Sequence, residues 1–95
     1  MSSETAQDAQ APGFQGQIPS VAAIVEEIIG SLALAAHAYM GETAEASDLA
    51  SAEIAIDIAS LAFERIKERL SADERLAITQ LLTETRLAFV RRRES

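Results

Sequence analysis

The sequence predicts an all-α fold: a small three-helix protein whose second and third helices form an antiparallel hairpin beside a hydrophobic first helix, with oligomerisation completing the core. Three observations predict it. Hydrophobic residues make up 48% of the chain and aromatics only 4%, so the apolar content is alanine and aliphatic, as in close-packed helices. Apolar positions recur at alternating three- and four-residue steps in separate runs, and strand-like alternation is missing. Finally, Leu70-Ser71-Ala72-Asp73-Glu74 places a helix start signal directly behind a helix-forming run.

The chain has 95 residues, which allows one domain. Residues 1–17 are rich in Ser, Gln, Ala and Gly, with Phe14 as the one large side chain able to anchor them, so they are expected to form a disordered tail. Residues 18–95 must supply the whole core, a length at which a lone core is marginal. Cysteine is absent and there is one histidine, so neither disulfides nor a structural zinc site can reinforce it. Association with another copy is the remaining source of burial.

The first helix is expected over about 20–40, opened by Pro19-Ser20 and stopped by Gly41. Val21, Val25, Ile28, Leu32, Ala35 and Tyr39 form a coiled-coil-like seam along it. From Ile28 to Met40 the helix is apolar nearly all round, which assigns an oligomer interface to Ile28, Ile29, Gly30, Ala33, Leu34, Ala36 and Met40. Gly30 costs about 1 kcal/mol against alanine in mid-helix, and close approach of another backbone is the expected reason for it. The run has the length of a membrane span, but Glu26 and Glu27 would each cost about 2–3 kcal/mol in hydrocarbon, so it reads as a protein-buried helix.

A polar, acidic link over residues 42–47 leads to a second helix over about 48–69, capped by Ser47 or Asp48. Leu49, Ala52, Ile56, Ala59, Phe63, Ile66 and Leu70 make a sustained stripe, which Ile54, Ile58 and Leu61 are expected to widen. The third helix, over about 72–92, opens with a capping box in which Ser71 and Glu74 satisfy each other's backbone N–H groups. Its stripe is Ile78, Leu81, Leu82, Ala88, Phe89 and Val90, interrupted by Thr85. The short turn folds the third helix back on the second, and equal distance from that turn puts Asp57 level with Arg86. An ion pair fixing register is the sharper reading; two solvated charges is the plainer one.

Several of these residues resemble a known family. Ser31-Leu32-Ala33 running to Met40-Gly41, then Asp48-Leu49, Ile56-Asp57, Leu70-Ser71 with Glu74, and Leu81-Leu82-x-Glu84-x-Arg86-Leu87-x-Phe89-Val90 are similar to the bacterial domain of unknown function 1844. The resemblance covers about residues 31–90. Family members usually carry a Gly-Asn pair between the second and third helices, where this chain has Glu68-Arg69, so a tight glycine-based cap is not expected and the second helix is expected to run toward Arg69. The resemblance implies a small bacterial cytoplasmic protein and carries no activity, cofactor or catalytic residue.

Charge and chemistry narrow the function. A net charge of −7 argues against broad attraction to nucleic acid or anionic membrane. The N-terminus has no basic, apolar leader, so a cytoplasmic location is expected. With one His, no Cys and no Gly-rich loop, the residues point to no enzyme, no cofactor and no metal; Glu53 and Asp57, four apart, read as solvated carboxylates. His37 reads as a surface or second-interface histidine, with a pH-sensitive contact as the sharper alternative. Arg91, Arg92 and Arg93 are candidate phosphate contacts but read first as a helix-dipole cap. The expected function is a non-enzymatic, homo-oligomeric adaptor or accessory subunit, open to a protein partner. The alternative is an RNA- or ribosome-associated protein using the C-terminal arginines.

Overall fold

The computed structural model describes residues 18–41 and 47–94. The expected disordered tail, with Phe14, and most of the acidic link lie outside these residues. Helix α1 spans Val21–Met40, α2 spans Leu49–Ile66 and continues as a single 3-10 turn over Lys67–Arg69, and α3 spans Ala72–Glu94. Among the described residues there is no strand, so the all-α, three-helix class is met.

Each boundary has a local cause. Ser20 Oγ accepts from Ala23 N at 3.0 Å and opens α1, while Gly41, at φ 66°, ends it and donates its N–H to the Ala38 carbonyl. Asp48 caps α2 by accepting from Ser51 N at 3.1 Å and from Ser51 Oγ at 2.7 Å. The capping box of α3 is complete: Ser71 N donates to Glu74 Oε1 at 2.8 Å and Glu74 N to Ser71 Oγ at 3.1 Å. Between α2 and α3, where Glu68-Arg69 stands in place of Gly-Asn, the chain tightens into the 3-10 turn and leaves it through an extended Leu70. Gly41 is the sole positive-φ residue described, so no left-handed cap forms there.

The most extensive pairing is between α1 and α2, not within the α2–α3 hairpin. They run antiparallel, tied at one end by Asp48 N donating to Tyr39 O at 2.6 Å. Their shared seam is built largely from alanine: Ala33 and Ala36 on α1, and Ala52, Ala55 and Ala59 on α2, are all buried. Side chains this small let two backbones pack closely. The third helix closes one side of the pair in two places. Near the turn, Ile78 and Leu82 join Ala22, Ile29, Ala59, Ile66 and Leu70; toward the far end, Phe89 joins Ala36, Met40, Ala52, Ala55 and Ile56. The α2–α3 pair is antiparallel as expected, with Arg75 Nη1 reaching Lys67 O at 3.3 Å and Arg86 reaching Ser60 farther along.

Three packing expectations are corrected. The buried face of α1 is Ala22, Ile29, Ala33, Ala36 and Met40, rotated by about one residue, roughly 100°, from the Val21–Tyr39 seam. The alanine seam of α2 selects small partners, so Val21, Ile28 and Tyr39 are turned outward. Second, Ile54, Ile58 and Leu61 do not widen the core stripe of α2 but are exposed, and Ala55 is buried instead. Third, Thr85 does not interrupt the stripe of α3; at 1% exposure it belongs to it, between Leu82 and Phe89. Its hydroxyl is satisfied within the helix by donating to Leu81 O at 2.8 Å.

Candidate functional site

Large apolar side chains remain exposed on the outer side of the α1–α2 pair, away from the residues that meet α3. On α2, Ser51, Ile54, Ile58, Leu61 and Arg65 follow one another at three- and four-residue steps and so share a face, and the N-cap Asp48 turns its carboxylate to Ser51 at the N-terminal end of that face. Ile54, Ile58 and Leu61 are 59%, 47% and 66% exposed. Beside them on α1 lie Ile28 and Tyr39, with Leu32 and Ala35 half-buried between. A shallow hollow of about 220 Å³ between the helices is lined by Leu32, Ala35, Tyr39, Ser51, Ile54, Ala55 and Ile58. No side chain lining it carries a charge. Asp48 caps the N-terminal end of α2 and Arg65 stands in its last turn, both outside this lining; hydrogen bonds from the Ser51 hydroxyl and N–H hold the Asp48 carboxyl below the usual carboxylate range.

A larger hollow, about 360 Å³, opens between α2 and α3 and is lined by Phe63, Thr79, Leu82, Thr83, Arg86, Leu87 and Val90. Its single ionisable group, Arg86, donates from Nη2 to Ser60 Oγ at 2.7 Å. The expected Asp57–Arg86 pair is therefore corrected: the two residues border a common hollow, but the guanidinium is taken by Ser60, one turn along from Asp57. An exposed ion pair, Lys67 to Glu64 at 2.8 Å, raises the Lys67 pKa through that bond and its charge.

The residues assigned to an oligomer interface divide. Ile29, Ala33, Ala36 and Met40 are buried within the single chain, which removes them from any interface between copies; α2 and α3 cover them. Ile28, Gly30 and Leu34 are exposed. At Gly30 an added Cβ would meet nothing within 4 Å, so close approach of a neighbouring helix is not its reason within this chain. Helix α1 has the length and composition of a membrane span, and 22% of its apolar window is buried within the chain.

The C-terminal arginines have work inside the fold. Arg92 Nε donates to Met40 O at 3.0 Å, satisfying a carbonyl at the end of α1 where the helix dipole favours a cation. The Arg93 guanidinium lies 5.6 Å from the centroid of the Phe89 ring. The Arg92–Met40 bond was not visible in the sequence, because residues 40 and 92 are too far apart for spacing to relate them, whereas Phe89 and Arg93 are four apart on one helix. His37 Nε2 is 3.3 Å from Thr85 Oγ1, whose single hydrogen goes to Leu81 O, so the ring donates to the hydroxyl. Among the described residues no group of three or more His, Cys, Asp and Glu side chains is gathered for a metal ion.

A family model described as Domain of unknown function (DUF1844) matches residues 22–91. The chain belongs to the DUF1844 family. The matched segment begins at Ala22, the first buried residue of α1, and ends at Arg91 in α3, so it takes in all of α2 and nearly all of α1 and α3 of this DUF1844 protein. No curated protein and no solved structure shows a match.

Proposed function

We propose that this DUF1844 protein is a non-enzymatic helical interaction module of the cytoplasm, acting as a homo-oligomeric adaptor or accessory subunit. The observation that carries the reading is the apolar surface the single chain leaves uncovered: Val21, Ile28, Leu34, Tyr39, Ile54, Ile58 and Leu61 are all exposed on α1 and α2 alone. Exposed apolar surface on this scale marks a contact surface. The hollows of about 360 and 220 Å³ are lined mainly by apolar side chains, which suits a contact surface, while Glu53 and Asp57 border a third, of about 240 Å³, together with Arg86 and Arg93.

The cytoplasmic part of the reading rests on Glu26 and Glu27 within α1 and on the packing of α1 along α2. An RNA-associated role draws less support, because Arg92 is engaged with Met40 and the chain is acidic overall. Light scattering coupled to size exclusion tests the proposal: a mass that is a multiple of 10.2 kDa at micromolar concentration is expected, and a strict monomer overturns it.

A further inference from the structure

We infer that the outer α1–α2 face is a self-complementary docking surface for a second copy of this chain, joined antiparallel across a two-fold axis that passes between Ile54 and Ile58. The inference rests on the oligomeric reading above and specifies its surface.

The pattern along α2 is the first argument. The exposed face reads Ser51, Ile54, Ile58, Leu61, Arg65, with the Asp48 carboxylate held on Ser51 at its N-terminal end: an anion at one end, a cation at the other, and apolar side chains in between. Asp48 and Arg65 lie equally far from the midpoint, about 13 Å along a helix rising 1.5 Å per residue. When a second α2 is laid antiparallel on the first, the apolar centres coincide and Arg65 comes level with the partner's Asp48 at both ends. A parallel arrangement would instead set Asp48 against the partner's Asp48. An isologous contact requires this kind of match of a surface with its own inverse.

Area is the second argument. At the measured exposures, Ile28, Tyr39, Ile54, Ile58 and Leu61 present about 500 Å² of side-chain surface, so a pair buries about 1,000 Å², where specific interfaces begin. The shape agrees. Two α1–α2 pairs stacked through this face make a four-helix core with one α3 on each outer side, which gives α1 and α2 apolar cover on both faces. Burial of a face whose centre carries no charge, within a chain of net charge −7, also keeps the remaining acidic residues in water.

The absence of native cysteine makes the test clean. In the full chain, Ile58→Cys places the two sulfurs near the axis and is expected to form a disulfide-linked dimer on mild oxidation. Ser51→Cys alone holds its sulfurs about 16 Å apart along the axis and is expected to stay unlinked, whereas Ser51→Cys with Leu61→Cys links again. In parallel, Ile54→Lys with Ile58→Lys should weaken association about 100-fold or more, with helicity kept because both positions are solvent-facing in the single chain. Leu34→Lys, on another side of α1, should leave the mass unchanged.

A dimer that survives the lysine pair overturns the assigned face while the oligomeric reading stands. A wild-type monomer at micromolar concentration overturns both. Co-flotation of that monomer with phosphatidylcholine vesicles, abolished by the lysine pair, would give the face to a lipid surface instead. Linking through Ser51→Cys alone would overturn the antiparallel arrangement.

Discussion

Replacing Gly30 by alanine should make the protein more stable, and the size of the effect follows from the structure. Gly30 lies in the interior of α1, is exposed, and has a helical backbone that any L-residue adopts. A methyl group there meets no atom within 4 Å, so no steric cost opposes the gain. Alanine is about 1 kcal/mol better than glycine in a helix interior, partly because the unfolded chain loses freedom. For a domain of this size that corresponds to a rise of about 4–8 °C in Tm. Thermal unfolding followed by circular dichroism, with both proteins at the same concentration, measures it; matching matters because association also raises Tm. Gly30 faces away from the Ile54–Ile58 surface, so the mass should not change. A fall in Tm, or loss of the oligomer, would refute the reasoning and place a second backbone against α1 at Gly30.

Other perturbations are predicted from single contacts. Ile29→Ala removes a fully buried side chain at the junction of all three helices and should cost about 2–5 kcal/mol in chemical denaturation; a loss below about 1 kcal/mol would mean that α3 is not seated there. Ser71→Ala breaks half of the capping box and should cost about 1 kcal/mol. No change in the denaturation midpoint would show that the turn holds without it. Arg92→Gln releases the Met40 carbonyl, so amide exchange should quicken in the last turn of α3 and around Gly41 but not at Ile56 or Ile78. Asp48 contributes through a lowered pKa, so its stabilisation is complete above the unfolded carboxylate value of about 3.9 and fades as pH falls through the lower folded value. Asp48→Asn should flatten that acid limb of the stability profile, and an unchanged limb would contradict the assignment.

Helix boundaries were legible because they are set by residues close in sequence. Ser20, Asp48 and the Ser71–Glu74 pair each cap from within three residues, and Gly41 is where a left-handed residue was expected. Azimuth was harder to read. On α2 the small and large apolar residues separate clearly enough that Ala52, Ile56, Ala59 and Ile66 could be assigned inward. On α1 apolar residues surround the axis, so periodicity did not distinguish the Ala33–Ala36 side from the Ile28–Tyr39 side; the alanine seam of the partner helix decided it. The Asp57–Arg86 expectation brought the two residues to a common hollow but missed the contact, since Ser60, about one turn farther along α2, receives the guanidinium. Arg92 on the Met40 carbonyl and His37 beside Thr85 join parts of the chain too distant for any spacing rule to link.

The alanine seam between α1 and α2 makes damage to this fold directional. Ala36, Ala52 and Ala59 are completely enclosed, yet they have almost nothing to lose, so an alanine scan of the chain would pass over its main interface without registering it. Addition of atoms is what these positions cannot absorb. A valine or leucine at any of the three would have to push the helices apart or twist out of its preferred rotamer, at about 1–3 kcal/mol each. Splaying α1 from α2 would also change the spacing of Ile28 and Tyr39 relative to Ile54 and Ile58 on the outside. Substitutions that enlarge hidden residues, without touching the surface, are therefore the ones that should reshape what this protein presents to its surroundings.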